Sequence, residues 1–289
     1  MGRSMQEISR RIRGVRGTMQ ITRAMEMVSS VKLRRAKESL EESRPYYRTV
    51  LKNIQSVLTT VRGVKHPLLE EREVKNTLYI VLTSDRGLAG GYNSNVNKMT
   101  AAEIRDEGKN AKLITVGLKA YDYFKNREEV IEHFLGISED PHFLDAVEIA
   151  KIALDLYKKG EIDEVRIAYT RFESMIKQTP RILQLLPAVD VYEGKDSKEA
   201  KKAGELMEFE PSAEEVLDYL IPMFIESTIY GALVEASASE QGARQLAMES
   251  ATDNAEEIID DLELTYNRAR QEAITMEISE IVSGAEALK

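Results

Sequence analysis

Apolar residues near the start of the chain recur at Ile8, Ile12, Val15 and Met19, then at Ile21, Met25, Val28 and Val31. Steps of three and four are the helical period. No Gly follows Gly17 before Leu58, and Pro45 is the one proline in that stretch. The pattern predicts a helix from Ser4 to about Leu58, roughly 80 Å long at 1.5 Å rise per residue. Its apolar stripe is narrow, and Arg, Lys and Glu fill the other faces. Such a stripe fits a coiled-coil seam better than the face of a globular core helix.

The same signature returns at the other end. Pro211-Ser212-Ala213-Glu214-Glu215 reads as a helix start, with Ser212 able to cap a free backbone N–H and Glu215 able to complete a capping box. The pattern runs to about Ala287, with a kink expected at Pro222. Met248, Thr252, Ala255, Ile259, Leu262, Tyr266, Ala269, Ala273 and Met276 alternate steps of four and three. A helix on the order of 110 Å long does not hold itself in water without a partner face. Many seam residues are Ala, Thr or Met, which lets two backbones come close.

Between the two helices the pattern changes. Asn76–Ser84 and Ala111–Gly117 are continuous apolar, β-branched runs, as expected of strands buried on both faces. Val165–Phe172 and Arg181–Leu186 are two further strands. Ser94–Glu107 reads as a helix, and a second is expected from the Asp140-Pro141 start through Tyr157, closed by Lys158, Lys159 and Gly160. Strands alternating with helices mean a Rossmann-like α/β sheet. The expected fold class is α/β: a long antiparallel coiled coil of N- and C-terminal helices with an inserted Rossmann-like domain. The expected boundaries are 1–60 for the first helix, 75–190 for the sheet domain, 191–211 for a charged connector and 212–289 for the last helix. The shape implied is a rod with a knob.

Charge sharpens this picture. The chain of 289 residues carries a net charge of −9. Residues 1–50 hold 12 Lys/Arg against 5 Asp/Glu, whereas residues 212–289 hold 4 against 17. The ends are electrostatic complements and candidates to lie side by side; two independent solvated helices are the other reading. With no Cys, disulfides and thiolate chemistry are excluded. His66, His133 and His142 do not stand at metal-ligand spacing. No run of 18 apolar residues occurs and the Arg-rich start has no apolar core segment, so neither a membrane span nor a secretory signal is expected.

The sharpest local signal is Thr83-Ser84-Asp85-Arg86-Gly87-Leu88-Ala89-Gly90-Gly91-Tyr92-Asn93, which follows a strand and precedes a helix. Phosphate loops sit at such places. The spacing fits neither G-x-x-x-x-G-K-[ST] nor G-x-G-x-x-G. A tight turn joining strand to helix is the plainer reading, and a nucleotide-dependent enzyme using the α/β domain is the alternative. Thr83, Ser84 and Asp85 have no base near them in sequence for nucleophilic catalysis. The basic N-terminal face could meet nucleic acid, but it lacks interleaved aromatics and belongs to an acidic chain; an acidic protein surface suits it as well.

Several blocks, in order, resemble the γ subunits of F-type ATP synthases. They are Ile21-Thr22-Arg23-Ala24-Met25-Glu26-Met27-Val28, Arg44-Pro45-Tyr46, the Thr83–Asn93 block, Ala251-Thr252-Asp253-Asn254-Ala255, Tyr266-Asn267-Arg268-Ala269-Arg270-Gln271, Ile274-Thr275-Met276-Glu277-Ile278 and the final Glu280–Ala285. The resemblance implies a central rotor shaft of F1 that couples ion flow through a membrane c ring to the conformational cycle of the catalytic β subunits. It implies α, β, ε and c-ring partners, no cofactor, no metal, no catalytic residues of the chain's own and no nucleic acid. By motif it places Arg270, Gln271 and Thr275 against a catching loop of β, Arg23 and Met25 near an acidic β loop, and Phe209 and Glu210 on the c-ring side. Family members often have Tyr at the position of Phe209. The lack of a Cys-bearing insert and of a presequence points to a bacterial setting, on the cytoplasmic side of the plasma membrane, with membrane attachment only through partners.

Overall fold

The computed structural model describes residues 2–60, 66–188 and 212–287. The expected connector at 191–211, with Phe209 and Glu210, lies outside the described residues. Ten elements follow in order: α1 (Gly2–Thr60), β1 (Asn76–Leu82), α2 (Tyr92–Glu107), β2 (Asn110–Val116), α3 (Leu118–Phe124), β3 (Glu129–Phe134), α4 (Phe143–Lys158), β4 (Glu164–Phe172), β5 (Gln178–Leu186) and α5 (Ala213–Ala287). They form two compact units, one of residues 30–244 and one of residues 1–29 with 245–289.

The larger unit is built on a five-stranded sheet in the order β3-β2-β1-β4-β5. β1 lies parallel to both β2 and β4, and β3 parallel to β2; β5 alone is antiparallel, against β4. Order 3-2-1-4 with parallel pairing is the Rossmann-type arrangement the alternation predicted. β1 is central, which is why its run is apolar throughout. Its side chains alternate between two cores: Leu78, Ile80 and Leu82 face one, Tyr79 and Val81 the other. α2 and α3 cover the second face through Val96, Ile104, Ala120 and Phe124. The first face is covered by α4 together with parts of α1 (Val50, Ile54, Val57) and α5 (Leu217, Ile221, Ile225, Ile229, Leu233).

Several boundaries differ from the sequence reading. β3 and α3 were not expected. β3 is an edge strand whose Glu129, Glu132 and His133 are exposed, so it lacks the apolar run that marks an inner strand. β5 begins at Gln178, ahead of Arg181, and accommodates Pro180 because it too is an edge. α4 begins at Phe143, after the Asp140-Pro141 pair. His142 precedes it, its backbone N–H donating to the Asp145 carboxylate over 2.7 Å. α5 starts where expected: the Glu215 N–H donates to the Ser212 hydroxyl over 3.2 Å. It passes through Pro222 as one helix. Flanking Leu217, Ile221, Phe224 and Ile225 are buried in the core and hold that turn in place.

Between Ile229 and Arg244, α5 is buried on nearly all sides, as expected of a helix inside a core. It is the one helix, among the described residues, long and apolar enough to cross a bilayer by length and composition, and half of the qualifying stretch is buried within the protein. From Gln245 the pattern narrows to a seam.

In the smaller unit, α1 and α5 run antiparallel. The Thr22 and Thr252 hydroxyls are 2.8 Å apart, and Arg16 pairs with Glu263 at 3.0 Å. The complementary charges of the two ends therefore do meet across a helix pair. On α5 the seam is the one expected: Met248, Thr252, Ala255 and Ile259 are buried, and Leu262, Tyr266, Ala269 and Ala273 are half-buried. Met276 is exposed. On α1 the expected stripe holds only through Met19. Beyond it the seam takes Thr22 and Ser29, both buried, while Ile21 and Val28 are 62% and 55% exposed. Met25 is half-buried. Small hydroxyl side chains let the two backbones approach, and that closeness overrides the more apolar stripe beside it.

Candidate functional site: helix ends and the glycine-rich turn

In the helix pair, Arg270, Gln271 and Thr275 lie on one stretch of α5 and all are exposed. The Thr275 hydroxyl donates to the Gln271 carbonyl over 2.9 Å, which fixes its rotamer along the helix. Arg268, Gln271, Glu272, Thr275 and Met276 line a shallow depression of about 470 Å³. Arg23, on α1, is also exposed, but next to the Thr22–Thr252 contact. Arg270 is eighteen residues farther along α5, roughly 27 Å away at 1.5 Å per residue. The five residues thus form two separate stations on the paired helices. The register exhausts α1 before α5 ends, and Ile278, Ile281 and Val282 are exposed at its tip. Ile21, Met27 and Val28 form a second exposed apolar set, on α1. The sequence reading placed Ile21 and Val28 in the seam and so missed this outward face.

The glycine-rich turn belongs to the larger unit and is fully engaged there. The Thr83 hydroxyl donates to the Val116 carbonyl and accepts from the Ala120 N–H at 2.8 Å. The Asp85 carboxylate accepts from the Leu118 N–H (3.1 Å), the Gly136 N–H (3.0 Å) and the Ser138 hydroxyl (2.9 Å). One carboxylate thereby ties together the loops that follow β1, β2 and β3. Asn93 bonds both the N–H and the hydroxyl of Ser84. Gly117 is required beside this turn: its φ is +85°, and a Cβ there would lie 2.3 Å from the Thr83 carbonyl oxygen.

In open α/β sheets a ligand sits outside the carboxyl ends of the strands. Here α5 itself occupies that region. The Tyr92 hydroxyl donates to the Ala236 carbonyl (3.1 Å), Ser239 to the Thr170 carbonyl (2.9 Å), Ser237 to the Glu139 carbonyl (2.9 Å), and Arg244 to the Gly87 carbonyl (3.3 Å). The turn is a socket for a helix, and its polar groups are spent on that helix and on neighbouring loops. Nothing in it resembles an activated nucleophile.

One charged pair lies deep in this socket. Glu240 and Arg244, one turn apart on α5, approach to 2.7 Å, with side chains 1% and 6% exposed. Burial pushes the Glu240 carboxyl up to about 7, against the opposing pull of Arg244; the negative charges of Glu139 and Asp85 add to the rise. Glu139 behaves oppositely. Burial raises it, but Lys32 at 2.5 Å, together with Arg86 and Arg244, outweighs burial and holds it below the usual carboxylate range. The sequence signal for the pair was Glu240-x-x-x-Arg244 among the small residues Ala236, Ser237, Ala238, Ser239, Gly242 and Ala243.

The family profile described as ATP synthase matches residues 4–288. The ATP synthase gamma chain of Alkaliphilus metalliredigens is 50% identical over 290 residues, covering all of both chains. The sodium-ion-specific ATP synthase gamma chain of Acetobacterium woodii is 48% identical over 302 residues, again covering all of both. Among solved structures, a chain of the Euglena gracilis mitochondrial ATP synthase OSCP/F1/c-ring assembly superposes with a TM-score of 0.68 at 19% identity, covering 100% of this chain and 95% of that one. A chain of the Tetrahymena thermophila central stalk and c-ring assembly gives 0.60 at 24%, covering 80% and 99%. At those identities the likeness is one of fold.

Proposed function

This chain belongs to the family of ATP synthase gamma chains, and from that membership we propose that it is the central rotor shaft of a bacterial F1. The reading rests on one structural observation above others: the two ends of the chain pair antiparallel through the Thr22–Thr252 seam. Two unlike helices make an axle with no rotational symmetry. Inside a near-threefold ring of α and β subunits, such an axle offers each catalytic subunit a different face. Each is biased to a different conformation and nucleotide affinity, and rotation permutes the biases. The nucleotide chemistry resides in the ring, and this chain supplies no catalytic group, cofactor or metal.

Within this reading Arg270, Gln271 and Thr275 meet a β catching loop, and Arg23 and Met25 meet an acidic β loop lower down. The exposed apolar residues Ile278, Ile281 and Val282 suit a low-friction bearing. Functionally the chain divides into coiled-coil arms at 1–60 and 212–289, a foot at 75–190 beside ε and the c ring, and a connector at 191–211 whose Phe209 and Glu210 face the c ring. The assembly sits on the cytoplasmic face of the plasma membrane, held there by its partner subunits.

Co-expression with the α and β chains of the same organism tests the reading. A stable complex whose ATPase requires this chain is the expected result. Within that complex, R270E is expected to lower ATPase at least tenfold while the isolated variant keeps its thermal unfolding midpoint. Unchanged ATPase in R270E would remove Arg270 from the coupling contact; failure to co-assemble would remove the rotor reading itself.

A further inference from the structure

The larger unit contains a cavity of about 690 Å³ among α1, α4, β4, β5 and α5. That is the size of a small-molecule site, and its walls are mostly apolar and aromatic. Phe143 meets Tyr46 edge-on at 6.3 Å and Tyr230 edge-on at 5.6 Å, so three rings form one wall. Tyr46 and Phe143 are 44% and 37% exposed. Tyr169, Arg181 and Glu235 also line the cavity.

These polar groups are not equivalent. Glu235 is already engaged by the Tyr169 hydroxyl and the Phe172 backbone, and burial raises its pKa. Arg181 lies over the Tyr169 ring at 5.7 Å, and its charge acts on the Glu235 carboxyl of the same cavity, with no ion pair within 4.0 Å among the described residues. A half-buried guanidinium lining the same cavity as an aromatic wall is a receptor for a planar anion.

We propose that this cavity binds a flat aromatic ligand bearing one carboxylate-like group, its rings against Tyr46, Phe143 and Tyr230 and its anion on Arg181. The site lies wholly in residues 30–244, where α1 and α5 pack on the sheet, and uses none of Arg23, Met25, Arg270, Gln271 and Thr275. A ligand there would bridge α1 and α5 where both pack on the sheet, and so would stiffen the larger unit.

The test uses the purified full chain and three fluorescent probes of one shape: anthracene-9-carboxylate, its neutral carboxamide, and the 9-methylammonium. The carboxylate is expected to bind saturably in the micromolar range, at least tenfold more tightly than the amide or the cation. R181Q is expected to weaken the carboxylate at least tenfold and to leave the amide unchanged. Equal affinity for the three probes, an unaltered carboxylate affinity in R181Q, or no saturable binding below millimolar concentration would overturn the proposal. If R181Q does not fold, the comparison of the three probes on the native chain decides alone.

Discussion

Glu240 is the residue whose physics departs furthest from its surroundings. An acid whose folded pKa lies near 7, against an ordinary value near 4.3, binds its proton more tightly in the native state than in the unfolded one. The unfolded chain releases that proton first as pH rises. The contribution to stability is therefore greatest below about pH 4.3 and is lost as pH rises toward 7, by on the order of 3 kcal/mol. Denaturant unfolding between pH 4.5 and 7.5 should show a stability that falls with pH, and E240Q should flatten much of that slope. A native slope identical to that of E240Q would mean Glu240 stays ionised throughout. Arg244→Met removes the charge that pulls the Glu240 pKa down, so Glu240 should stay protonated to higher pH and the fall in stability should continue above pH 7. Gly117→Ala is expected to cost more than about 3 kcal/mol, since both a positive φ and a 2.3 Å approach to Thr83 forbid the methyl group; a variant melting within a few degrees of the native chain would refute that geometry. The Glu240–Arg244 spacing was visible in the sequence, but its burial was not. A helix that is apolar before and seam-like after gives no one-dimensional sign of where the sheet meets it. Asp85 likewise could be noticed but not placed, because its three partners come from loops up to 53 residues away.

At the scale of elements, the seam between α1 and α5 is governed by how closely the backbones approach. The two threonine hydroxyls at 2.8 Å leave no room for a longer side chain. Thr22→Leu should overpack the seam and cost about 1–3 kcal/mol. Thr22→Ser keeps the hydroxyl and should be mild. Native-state hydrogen exchange would localise the damage: faster exchange at residues 2–29 and 245–287, with β1 and β4 unchanged. Uniform acceleration across the sheet would contradict the separation into two units. The same closeness explains what the sequence revealed and what it hid. On α5 the buried and half-buried positions from Met248 to Ala273 are, apart from Ala251, the ones its periodicity marked. On α1, two neighbouring stripes compete after Met19, and periodicity favours the more apolar one through Ile21 and Val28. The structure takes the smaller one through Thr22 and Ser29, because helix–helix distance rewards small size over apolar area. β1, β2 and β4 were legible as buried runs. β3 was not, since an edge strand with Glu129, Glu132 and His133 resembles a polar loop.

At the scale of the whole molecule, α1 and α5 each contribute to both compact units. Their outer residues pair with each other, while residues 30–60 and 213–244 pack in the unit that holds the sheet. The sequence reading treated the sheet domain as an insertion between two terminal helices that pair with each other. The long apolar stretch of α5 was the missed sign, being too wide for a two-helix seam. Two segments of each helix thus do different work, with a tight core below residue 244 and an asymmetric pair beyond it. The absence of native Cys makes the pairing directly testable. A T22C/T252C variant should cross-link on oxidation without loss of ATPase in the assembled complex, because an axle turns as one body.

The most direct test of the rotor account attaches a visible probe to an engineered surface Cys on the sheet unit of an assembled, immobilised complex with α and β chains. ATP should drive continuous rotation of the probe in a single direction, and the oxidised T22C/T252C axle should rotate as well. Sustained ATP hydrolysis with the probe motionless, or moving only by undirected diffusion, would contradict the account.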